Sequence, residues 1–146
     1  MSNFDREFRL GTQMNTPEHR TGELVEATAT HALRESALSL PIVTDALGKA
    51  PDEIRQNFED AKNLPSLKRA MVRALGRTKA GDVADEIEQR FQEHLDSLRE
   101  PATRHGEVTG TAGEIVATVD FIEGKGKGFL EDIRDLARVS QDEPFH

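Results

Sequence analysis

Apolar residues recur at three- and four-residue steps through most of this chain, and that spacing predicts helices. The clearest run is 64–98. Over 65–75, Leu67, Ala70, Met71, Ala74 and Leu75 share one face. Pro65 suits a first helical position, where its missing N–H would lack a partner anyway, and Gly76 follows as a C-terminal cap. Over 79–99, Val83, Ile87, Phe91, Leu95 and Leu98 form a second seam, with Thr78 as the expected N-cap and Pro101 just past the expected end. Burying a large apolar side chain contributes about 2 kcal/mol. Chain entropy cancels most of that gain, so neither helix stands alone and both must dock on others. The short joint favours an antiparallel or angled pair.

The same pattern organises the remainder. A helix is predicted over 22–38, capped by Thr21, with Val25, Ala29, Ala32 and Leu33 along one side. His31 lies on it with only Glu35 at a ligand-like offset, so it reads as an exposed or hydrogen-bonded histidine. Pro41 starts a single turn through Leu47, stopped by Gly48. Pro51 opens another helix, with Asp52 and Glu53 favourable in its first turn and Ile54, Phe58 and Ala61 facing inward.

Residues 106–122 admit two readings. As a helix, Ile115, Val116, Val119 and Ile122 group together, Thr111 and Glu114 make a capping box, and Gly124 is a stop. As a strand, Ile115, Ala117, Val119 and Phe121 alternate and pair with 107–109 in a small β-hairpin. The helix is the reading adopted. The glycines and lysines of 124–128 precede a helix, as in a phosphate-binding loop, but the Walker spacing and its hydroxyl are absent. This stretch reads as a flexible hinge. An amphipathic helix over 129–139 follows, carrying Phe129, Leu130, Ile133, Leu136 and Ala137. It either swings onto a partner or closes the home core. In the polar tail, Phe145 is a candidate anchor. At the other end, Phe4, Phe8 and Leu10 sit in an arm interrupted by Gly11, Asn15, Thr16 and Pro17. Phe4 and Phe8 either dock on a neighbouring subunit or pack back on their own domain.

The expected fold is therefore mainly α, a compact array of about five or six short-to-medium helices. It divides into an N-terminal arm (1–20), a helical core (21–100), a loop with the ambiguous segment and hinge (101–128), and a C-terminal helix with its tail (129–146).

Composition narrows the function. The net charge of −8 is the reverse of a dedicated DNA-binding domain's basic footprint. With no cysteine, disulfides, thiolate catalysis and cysteine-based zinc sites are all excluded. There is no long apolar run for a membrane span, and the polar N-terminus lacks a signal-peptide pattern. The expected location is intracellular, cytoplasmic during assembly. Against the acidic background, one basic concentration stands out: Lys62, Lys68, Arg69, Arg73, Arg77 and Lys79, with no acid between Asp60 and Asp82. Arg69, Arg73 and Arg77 are four apart and form a stripe away from the apolar face. The plainer reading is a solvated face balanced by the acidic helix that follows. The sharper one is a docking surface for an acidic partner or nucleic acid.

No catalytic constellation emerges. The five histidines make no HExxH pattern, and no serine sits in GxSxG. No metal, catalytic residue or cofactor is expected. The reading that follows is a non-enzymatic structural protein acting through protein–protein contacts, as a homo-oligomer or in a larger complex. Its partner-binding candidates are Phe4, Phe8, Arg69, Arg73, Arg77, Phe129, Leu130, Ile133 and Phe145. In general organisation it is similar to small helical head–tail connector (adaptor) proteins of tailed viruses, an analogy of architecture that no motif carries. The alternative is a helix-turn-helix-like regulator built from 67–75 and 83–91. Its second helix would read bases, yet it carries Asp82, Asp85, Glu86 and Glu88, which repel phosphates.

Overall fold

The computed structural model describes residues 17–103 and 110–142. Among them are six helices and no strand: α1 Pro17–Leu38, α2 Pro41–Lys49, α3 Asp52–Asp60, α4 Leu64–Leu75, α5 Arg77–Thr103 and α6 Gly110–Asp142. The arm carrying Phe4 and Phe8, and the tail with Phe145, lie outside the described residues.

Local chemistry sets the joints. Leu40 is extended, and Pro41 begins α2. The carbonyl of Pro51 accepts from the N–H groups of Ile54 and Arg55 to start α3. Asn63 caps α4, its Oδ1 accepting from the Ser66 N–H at 2.9 Å. Gly76 then serves two helices. Its N–H donates to the Val72 carbonyl at 2.7 Å, closing α4, and its own carbonyl accepts from Ala80 at 3.0 Å, opening α5. Its φ of +84° is a conformation that a side chain would strain. Because α5 starts at Arg77, Thr78 lies inside the helix rather than capping it. Arg77 thus belongs to α5, beyond the break from Arg69 and Arg73.

The long helices α5 and α6, of 27 and 33 residues, pair antiparallel. Four cross-contacts fix the direction: Gly81 meets Ala137, Asp85 and Glu88 meet Arg134, Phe91 meets Gly126, and Arg99 meets Asp120 and Glu123. Helix α1 packs against both, while α2, α3 and α4 close the rest of the core. Phe58, Leu33, Leu67, Met71, Ile87, Phe91, Leu95, Leu130 and Ile133 are its largest fully buried side chains. The linker between α3 and α4 is tied to α1. The Leu64 N–H donates to Glu26 Oε2 at 3.1 Å, and Arg34 donates to the Ala61 carbonyl.

Several expectations are corrected. Residues 124–128 are not a hinge: α6 runs through them unbroken. Helix α5 continues past Pro101, α2 continues through Gly48, and α1 begins at Pro17, ahead of the cap expected at Thr21. The β-hairpin alternative fails over 115–122, which is helical, with Val119 and Ile122 buried and Phe121 63% exposed. That exposure belongs to a helical period and contradicts the strand's alternating face.

Glycine in a helix costs up to about 1 kcal/mol relative to alanine. The two-sided seam explains why α6 persists regardless. Gly126 is buried beneath Phe91, where an added Cβ would fall 2.2 Å from the ring's Cε2. Gly81 does the same on α5, where an added Cβ would lie 2.3 Å from Ala137 Cβ. The two glycines let the helices approach closely, and the apolar burial between them offsets the propensity cost.

Candidate interaction surfaces

Along one edge of the α5–α6 pair, charge is closely matched. Arg134 Nη2 reaches Asp85 at 2.7 Å and Glu88 at 2.8 Å, and Nη1 reaches Glu131 at 2.8 Å. Hydrogen bonding to Glu88 leads the effects that raise the Arg134 pKa above its ordinary value, outweighing burial. Further along, Arg99 Nη2 bridges Asp120 at 2.7 Å and Glu123 at 3.1 Å. Burial pushes the Glu123 carboxyl up. Hydrogen bonds from Gln92 and Arg99, with the charges of Arg99 and Lys127, outweigh it and hold the group below the usual carboxylate range. This ladder fastens the two helices together.

The face of α4 is different. Lys62, Arg69 and Arg73 are exposed and line a cleft of about 480 Å³ between α3 and α4, with Asn57, Asp60 and Ser66. Arg69 makes one long hydrogen bond, 3.4 Å to Ser66 Oγ. Among the described residues, ion pairs engage Arg55, Lys68, Arg90, Arg99, Lys127, Arg134 and Arg138. Lys62, Arg69, Arg73, Arg77 and Lys79 make none. The acidic helix that follows does not balance this face, because its paired carboxylates are held by Arg90, Arg99 and Arg134.

On α5, Asp82, Asp85, Glu86, Glu93 and Asp96 are all exposed, within roughly 100° of arc at about 100° per residue. Asp82 and Glu86 are four apart and have no ion-pair partner among the described residues. From the sequence these acids read as a solvated face balancing the basic run, and Asp82, Asp85, Glu86 and Glu88 as repellers of phosphate. Their i, i+4 spacing was the available signal, but which acids were already paired within the chain was not.

The remaining candidates divide. Phe129, Leu130 and Ile133 are buried in the core at 3%, 0% and 1% exposure, so their apolar faces close the home fold. Leu24, Leu98, Ile115 and Phe121 are the larger exposed apolar side chains on the three long helices, with Val139 near the end of α6. His31 and His94 share a shallow cleft of about 240 Å³ between α1 and α5, with Glu35 and Arg90. Among the described residues, no group of three His, Cys, Asp or Glu is arranged to hold a metal ion, and no helix is long and apolar enough to cross a membrane. No family model matches the chain, and no curated protein or solved structure matches it either.

Proposed function

We propose that this chain is a non-enzymatic assembly subunit that acts by presenting fixed surfaces to protein partners. The observation that carries this reading is the exposed set Lys62, Arg69 and Arg73, without an ion pair among the described residues, beside an open cleft on a chain of net charge −8. A chain with so many carboxylates could neutralise those cations internally, yet among the described residues no ion pair engages Lys62, Arg69 or Arg73. Phe121, 63% exposed on α6, adds apolar surface. The seamed α5–α6 pair suits a scaffold, since its two halves hold each other without a moving hinge.

A narrower form of the proposal is a head–tail connector-like subunit, supported only by the analogy of a small helical body carrying segments at both ends. Its arm residues Phe4 and Phe8 would then engage a neighbour. The regulatory, nucleic-acid-binding alternative is disfavoured by the exposed acids of α5, which stand where bases would be read. The test is light scattering of the full chain against a chain lacking residues 1–9. A defined multi-chain particle, lost on truncation with far-UV circular dichroism retained, is expected. An unchanged mass removes the arm from the reading, and a monomer in both overturns it.

A further inference from the structure

Two complementary pairs on this chain have no ion-pair partner among the described residues. Arg69 and Arg73 stand four apart on exposed positions of α4, and Asp82 and Glu86 stand four apart on exposed positions of α5. At 1.5 Å rise per residue each pair spans about 6 Å along its helix, so the two spacings match. None of the four makes an ion pair in the structure, whereas Asp85, Glu88, Glu93 and Asp96 on the same helix are each held by an arginine. We propose that the α3–α4 cleft of one copy receives the Asp82/Glu86 edge of α5 from a second copy, with Arg69 and Arg73 as the receiving cations. This rests on the reading of the chain as an assembly subunit and names its partner.

Charge and spacing support that occupant. Guanidinium forks bind carboxylates with two parallel hydrogen bonds, and two such forks at fixed spacing specify register as well as charge. Lys62 adds a third cation to the cleft wall, and Asp60 on the same wall is engaged by Gln56 at 2.9 Å. With Lys62, Arg69 and Arg73 against Asp60 alone, the lining is net positive. Overall repulsion between two copies of charge −8 opposes approach. At about 0.15 M salt the screening length is near 8 Å, which suppresses that long-range term and leaves contact pairs in force. Each copy carries both an acidic edge that accepts and a basic cleft that donates. The contact thus either closes a two-fold pair or propagates head to tail.

The experiment is sedimentation velocity of the full chain at about 0.1 mM, in about 0.15 M and about 1 M sodium chloride. Association is expected at the lower salt and its loss at the higher. Arg69→Glu/Arg73→Glu alone and Asp82→Lys/Glu86→Lys alone should each weaken association by about tenfold or more, since each places like charges in contact. An equal mixture of the two variants should associate again, because each supplies the charge the other lacks. Circular dichroism of each variant checks that the fold survives. Association unmoved by either reversal, or a mixture that stays dissociated, overturns this contact and leaves the assembly reading standing. A wild-type monomer at the lower salt overturns both. A monomer that shifts double-stranded DNA through Arg69 and Arg73 overturns both in favour of a polyanion site.

Discussion

Replacing Gly126 with alanine tests the seam between α5 and α6 most directly. Alanine is intrinsically better than glycine in a helix by about 0.5–1 kcal/mol. At Gly124 and Gly128, where an added Cβ meets nothing within 4 Å, that gain should appear undiminished. At Gly126 the Cβ would lie 2.2 Å from Phe91 Cε2 and 2.3 Å from Cζ, against about 3.5–4 Å for ordinary carbon contact. The ring must move by more than about 1 Å, and it is only 1% exposed, so its displacement disturbs other core side chains. Overpacking of this kind costs about 1–3 kcal/mol. Gly126→Ala should therefore be less stable than Gly124→Ala by about 1–3 kcal/mol. Urea unfolding followed at 222 nm reads this as a midpoint gap of about 1 M for an m-value near 2 kcal/mol/M. Adding Phe91→Leu to Gly126→Ala should recover part of the loss, with a coupling of at least about 0.5 kcal/mol. If Gly126→Ala raises the midpoint as much as Gly124→Ala does, the helices are not seated on one another there, and the hinge reading returns.

Two further outcomes are expected. Gly81→Ala should fall about 1–3 kcal/mol below Gly124→Ala in the same assay, because the Ala137 methyl it meets cannot rotate away, and Ala137→Gly should restore part of the loss. Glu123 titrates below the usual carboxylate range in the folded state, so its contribution is present at neutral pH and is lost as pH falls through that range. The stability gap between wild type and Glu123→Gln should thus be largest near pH 7, about 1 kcal/mol or less, and close towards pH 3. A gap that is flat in pH would show that the carboxylate's charge is not what holds Arg99.

Most of the helical plan was legible because its signals are local. The seam Val83, Ile87, Phe91, Leu95, the stop at Gly76 and the Pro51 opening all depend on residues within a turn or two. The misreadings share another cause. Gly48, Pro101 and the three glycines of 124–128 are breakers by intrinsic preference, and a local window reads each as one. At 126 the deciding contact is with Phe91 on another helix, which no local window contains. The burial of Phe129, Leu130 and Ile133 follows from the same docking. At the surface, the basic run was visible as composition. That it stays unpaired depends on which acids Arg90, Arg99 and Arg134 had already taken, a three-dimensional fact.

The glycine contacts also act as keys that permit one alignment. Gly81 and Phe91 on α5 meet Ala137 and Gly126 on α6 across nearly equal intervals, so both fit together or neither does. Inserting or deleting a single residue between the two keys of either helix would rotate one of them by about 100° out of the interface. Length between these positions is consequently a fixed quantity of the molecule.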